Sequence, residues 1–172
     1  MAVSQFNLAN GQRAERKLLI TVAEWTEGST QVREILGTRT EDSSIEYNAD
    51  IETSTDILGI NYTDLNSTQP QQDFDPYLIL GGSKLGAKLN DIRRRNALSE
   101  LNQFTCYIIT AFVGSSGSYE AEKHTGCTIA YTSIGGDANV NFPISVYFSN
   151  NITTGTVDKL ADDFTFTADT SL

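Results

Sequence analysis

Residues 45–57 read IEYNADIETSTDI, and four carboxylates, Glu46, Asp50, Glu52 and Asp56, fall on its even positions. The odd positions hold Ile45, Tyr47, Ala49, Ile51, Thr53, Thr55 and Ile57. An extended chain sends alternate side chains to opposite faces, so this stretch predicts a ribbon with one negative face. Paired carboxylates about 5 to 9 Å apart in a cleft are what glycoside hydrolysis requires, and Asp50 with Glu46 or Glu52 has suitable spacing. A solvated acidic strand has it too, without any chemistry.

Other reactive constellations are weaker. His124 stands three residues before Cys127, but two ligands with no further His or Cys in range make a poor zinc site, and a strand-edge histidine is the simpler reading. No serine or cysteine sits in the G-x-S-x-G surroundings of a nucleophile elbow. GGSKLG, residues 81–86, lacks the spacing with which backbone amides cradle a phosphate, and reads as a turn into a helix. No catalytic residue, cofactor site or metal site is predicted.

Charge narrows the classes further. Twenty-two acidic residues against 12 basic ones leave a net charge of -10. Nucleic-acid affinity comes mostly from cations neutralising phosphates, so the chain is not built to grip a polyanion, and the run Arg93, Arg94, Arg95 is too small a counterweight. No apolar stretch approaches the roughly 20 residues of a membrane helix, and MAVSQFNLANGQRAERK lacks the apolar core of a signal peptide. A protein that is cytosolic when made, without membrane insertion, is expected. Cys106 and Cys127, both in strand-like runs, are then expected as reduced, buried thiols. In that compartment the sequons at Asn61, Asn66 and Asn151 carry no information.

The elements that must position these residues are mostly strands. A chain of 172 residues makes one ordinary domain, 1–172, with enough apolar and aromatic residues to build a core. KLLITVAEW, residues 17–25, predicts a strand with Leu18, Ile20 and Val22 on one face, turning at residues 27–29 into VREIL. The acidic ribbon follows, either bent at residues 48–50 or protruding. Past Gly59 a second arm runs through about Leu65 and can pair back on the first, giving a long hairpin of about 40–66.

A surface loop without regular structure is expected over 66–82, mobile around 64–76 until a partner covers it. Ser83 is the predicted N-cap of a helix over about 83–96, with Leu85, Leu89 and Ile92 on one face and the three arginines at its C-terminus. FTCYIITAFV, residues 104–113, is apolar on both faces and predicts a central strand. Residues 127–134 predict another strand. Val140, Phe142, Ile144, Val146 and Phe148 predict a half-buried one, with Pro143 marking an edge or bulge. FSNNITTG reads as a turn and DDFTFTA as the last strand. About eight strands and one helix predict a mainly β fold, a sandwich or barrel with one flanking α-helix.

Four blocks spread over most of the chain carry a family likeness: RTEDSSIEYNADIETSTDILG (39–59), DFDPYLILGGSKLG (73–86), YEAEKHTGCTIAYTSIGG (119–136) and YFSNNITTGTVD (147–158). In this order they resemble the major tail tube proteins of long-tailed bacteriophages, siphovirus-type, especially those infecting Gram-positive bacteria. The resemblance implies a β-sandwich or barrel with one flanking helix, six copies of which form a ring whose inner strands join into a continuous barrel around a channel. Rings would stack on a tape-measure protein, with tail terminator and distal tail or baseplate proteins as further partners. Viral DNA would pass through without specific binding. The resemblance implies no catalytic residue and no cofactor, and a place in the virion after assembly in the bacterial cytoplasm. Inner tubes of contractile tails, of tailocins and of secretion machines share the fold, which alone does not separate them.

On this reading Glu46, Asp50, Glu52 and Asp56 are candidates for the channel wall. Six copies at -10 each would place on the order of -60 on a ring, and DNA phosphates would slide past such a wall without adsorbing. The same ribbon also suits an arm reaching to a neighbouring subunit or ring. Arg93, Arg94 and Arg95, with Asp73 and Asp75 among the acidic residues, are candidates for contacts between copies, because head-to-tail contacts close into rings. A solvated helix end explains the arginines equally well. A module of another class, a monomeric carbohydrate-binding or adhesin β-sandwich, would need exposed aromatic platforms, for which Tyr62, Tyr77, Tyr119 and Tyr147 are available.

Overall fold

Alternating apolar residues drive most of the chain into strands, and the computed structural model, which describes residues 5–170, orders eleven of them with one α-helix. The first four residues of the polar leader and the last two of the chain lie outside the described residues. In chain order the strands are β1 (Leu19–Glu27), β2 (Thr30–Ile35), β3 (Ile45–Glu46), β4 (Asp50–Thr55), β5 (Asn61–Ser67) and β6 (Gln71–Phe74). Helix α1 (Lys84–Arg95) follows, then β7 (Phe104–Ser115), β8 (Ser118–Tyr131), β9 (Ile144–Tyr147), β10 (Ile152–Val157) and β11 (Phe166–Ala168).

All pairings are antiparallel. The body sheet runs β2-β1-β7-β8-β9-β6-β3, with β10 on β8 and β11 on β10, while β4 and β5 form a separate two-stranded sheet. Strand β8 divides its partners: residues 118–127 pair with β7 and 119–124 with β10, whereas 128–131 pair with β9. Just before the second half lies Gly126 in the left-handed region (φ 81°), where the register against β7 shifts. The sheet folds over at this point into a β-sandwich with one helix, the predicted fold class.

Strand β7 is covered on both sides, as its composition predicts. Phe104, Cys106 and Ile108 join Ala23 and Trp25 in one core, packed against Phe74, Ile129, Ile144 and Val146. Tyr107 and Ile109 join Val22, Ala121, Val157 and Phe164 in a second core on the opposite face. Leu85, Leu89 and Ile92 of α1 are fully buried in the first. Each buried side chain of this size contributes about 1.5 to 3 kcal/mol.

The helix begins where expected. Ser83 Oγ accepts from the Gly86 amide at 3.1 Å. Glu34 adds a second cap from β2, its Oε2 accepting from the amides of Lys84 and Leu85, so a carboxylate sits where the helix dipole favours one. The helix stops at Asn96, left-handed at φ 51°.

Several expectations are corrected. The 66–82 segment contains β6, where Gln72 and Phe74 are buried, and Tyr77 beyond it is buried too. Its polar sequence hid this strand because Gln72 is satisfied internally, accepting from Thr21 Oγ1 at 2.6 Å and donating to Ser43 Oγ. Residues 152–155, read as part of a turn, belong to β10, in which β-branched threonines suit a strand surface. Strand β8 starts at Ser118 rather than at residue 127. Strand β9 is only four residues long and lies between β8 and β6, so it is no edge. Pro143 stays one residue outside its ladder, and the Pro143 carbonyl accepts from the Thr132 amide. His124 is no strand-edge residue either, being 1% exposed.

Candidate assembly surface

The acidic ribbon is built in two pieces. Ile45 and Glu46 pair with Gln72 and Gln71 at the edge of the body sheet. The chain then turns through Asn48, left-handed at φ 44°. The Asn48 side chain donates to the Gln69 carbonyl at 3.1 Å, and the Gln69 amide donates to the Tyr47 carbonyl at 2.8 Å, closing the base of an arm. Beyond it β4 and β5 pair only with each other, and every residue of both strands is exposed. The ribbon therefore both bends and protrudes.

The left-handed Asn48 interrupts the period of two, and an extra residue on β5, Asn66, shifts the arm's register between Asp50 and Ile51. Glu46 consequently belongs to the body, and Asp50, Glu52 and Asp56 to the arm. The single negative face predicted across 45–57 is split. Glu46 instead lines a polar concavity of about 220 Å³ with Asp42, Asp73 and Asp75, so the structure brings together one channel candidate and two contact candidates.

On the arm, Ile51 faces Leu65 and Thr53 faces Thr63, while Glu52 stands directly opposite Asp64. Like charges in that position destabilise a pair of strands, and an isolated two-stranded hairpin is already marginal in water. Asp64 was not among the sequence candidates. The pairing of the second arm on the first would have exposed it, had the register been known.

The turn at the tip is tightly specified. Asp56 Oδ1 accepts from the amides of Leu58 (2.8 Å) and Ile60 (2.9 Å), and Oδ2 accepts from Tyr62 Oη at 3.0 Å. The Ile60 amide first, with Tyr62 and Leu58, outweighs the opposing desolvation and holds the Asp56 carboxyl below its usual range. Gly59 supplies the positive φ (77°) that the turn needs. Asp56 thus acts at the turn rather than simply extending the acidic face.

At the helix end the three arginines differ. Arg95 bridges Asp91 at 2.6 Å and Glu100 at 2.8 Å, and Lys88 also reaches Glu100. Arg95 first, with Lys88, pulls the Glu100 carboxyl down to about 2. Arg95 is therefore engaged within its own chain. Arg93 donates to Asn90 Oδ1 at 2.9 Å, and Arg94 is exposed with no ion pair among the described residues.

The remaining candidates are buried or dispersed. Cys106 and Cys127 are free, buried thiols. His124 Nδ1 lies 2.8 Å from the Ser149 carbonyl and Nε2 3.3 Å from Glu122 Oε2. Burial opposes its protonation, yet Glu122 and the Ser149 carbonyl hold its pKa above the ordinary value. No group of three His, Cys, Asp or Glu side chains among the described residues is arranged to hold a metal. Tyr62 and Tyr147 are exposed on different sheets, Tyr119 is half-buried and Tyr77 is buried, so the four tyrosines make no shared platform. No helix of the described residues is long and apolar enough to cross a membrane. No protein-family profile matches the chain, and no curated protein matches it.

Proposed function

We propose that the chain is a structural, non-enzymatic virion protein that self-assembles into stacked hexameric rings, forming the hollow tail tube of a long-tailed bacteriophage. The observation that carries this reading is the arm. Eighteen consecutive positions, 50–67, leave the body as a hairpin with both faces in solvent, exposing Ile51, Ile57, Leu58, Ile60, Tyr62 and Leu65. A monomer gains nothing from exposing so much apolar side chain, whereas a neighbouring copy that covers it recovers the burial.

The acidic residues fit the same reading. Glu52 and Asp64, opposite each other on the arm, would repel passing DNA phosphates around a channel. Tape-measure, terminator and distal tail proteins would be the partners of the assembled tube, as the four sequence blocks imply. The inner tube of a contractile tail or tail-like particle is the neighbouring alternative within this class.

Negative-stain microscopy and sedimentation at rising protein concentration test the reading. Rings or tubes with a hollow centre are expected. A protein that stays monomeric at every concentration, alone and with its tail partners, overturns it.

A further inference from the structure

The arm ends in the most exposed apolar side chains of the described residues: Ile57 is 103% and Leu58 78% exposed. They are held out by a turn that Asp56 fixes through three hydrogen bonds. At the other end of the arm, the body opens a cavity of about 410 Å³ where β1 begins, β2 ends and β6 crosses beneath. Leu19, Ile20, Ile35, Leu36 and Phe74 supply its apolar wall.

The uncharged polar side chains Thr21, Thr40, Ser43 and Gln72 lining this cavity are already hydrogen-bonded. Thr21 and Gln72 bond each other, Gln72 bonds Ser43, and Thr40 Oγ1 donates to the Pro76 carbonyl. Beside them the cavity presents apolar surface. At the mouth, Arg16 donates to the backbone carbonyls of Leu19 and Ser43 and pairs with no carboxylate among the described residues. Lys17 and Glu41 share the rim.

We propose that the Ile57–Leu58 tip of one copy docks into this cavity of a second copy, bringing Asp56 and the acidic side of the arm towards Arg16. The inference rests on the self-assembly reading and specifies its contact. Three features fix the occupant. The tip is aliphatic, as the cavity wall is, and its carboxylate complements an arginine that has only carbonyl partners. The arm also cannot serve its own cavity. Gln72 and Phe74 of the cavity follow directly after the arm's base, while six residues of extended strand carry the tip about 20 Å away. Tip and cavity are different patches, so the contact is head-to-tail and propagates into a ring or a tube.

Two variants test it. Ile57→Asp with Leu58→Asp is expected to keep the wild-type unfolding curve, since neither residue belongs to a core, and to lose assembly at concentrations where wild type assembles. Leu58→Cys with Glu41→Cys is expected to give, on oxidation of assembled protein, a ladder of covalent oligomers, while each single cysteine variant gives no ladder. An aspartate variant that assembles like wild type, or double-cysteine particles that yield no ladder, overturns the docking and leaves self-assembly standing. A wild type that never assembles overturns both.

Discussion

Glu24 and Arg33 oppose each other across the β1–β2 ladder and form an ion pair buried beneath Phe164. Arg33 also donates to the Phe164 carbonyl, lies 4.2 Å from the centre of its ring, and faces the ring of Tyr107, whose hydroxyl donates to Glu24. One charged pair thereby ties the C-terminal segment to the sheet. Arg33→Ala leaves Glu24 buried without its partner, and is expected to cost about 3 to 5 kcal/mol in urea unfolding. A loss below about 1 kcal/mol would show that the segment is held by Phe164 alone.

Tyr107 carries a pH dependence in the same cluster. Burial first, and then the Glu24 charge, push its hydroxyl up to about 12. In the unfolded chain a tyrosine loses its proton near pH 10, so between roughly pH 10 and 12 the folded state holds a proton that the unfolded state lacks. Its contribution is complete below pH 10 and is lost as pH rises through this window. Tyr107→Phe is expected to flatten the alkaline fall of stability there; an unchanged slope would count against the assignment.

Exchange of backbone amides with solvent separates the arm from the strand behind it. Residues 71–74 pair with β9 and bury Gln72 and Phe74, so their amides are expected to exchange slowly in dilute monomer. Those of 51–55 and 61–66, in a two-stranded sheet with no other cover, are expected to exchange fast until assembly. Equal protection in monomer and assembly would remove the arm from the interface.

Reversing charge on the arm tests the channel wall. Asp50→Lys with Glu52→Lys leaves the cores untouched, and on the tail-tube reading tubes are expected to form while DNA ejection slows, because cations retain phosphates. Normal ejection kinetics would place these residues outside the lumen.

Much of the fold was legible in the sequence because its signals are local. The double-sided apolar run of β7, the β1–β2 turn at Gly28, and the Ser83 cap with Leu85, Leu89 and Ile92 behind it depend only on near neighbours along the chain. The alternation in 45–57 announced an extended ribbon for the same reason, but the break at Asn48 was not legible as a boundary between body and arm.

Tertiary structure alone decided which groups meet. Gln72 became a core residue because Thr21, 51 positions away, hydrogen-bonds it. Arg95 proved to be engaged within its own chain because Asp91 and Glu100 both reach it, and Asp64 entered the acidic set through the register that sets it against Glu52. Side-chain period fixes which way a residue points, whereas its partner depends on sheet register and on where distant strands fold back, and neither is encoded in any short window of residues.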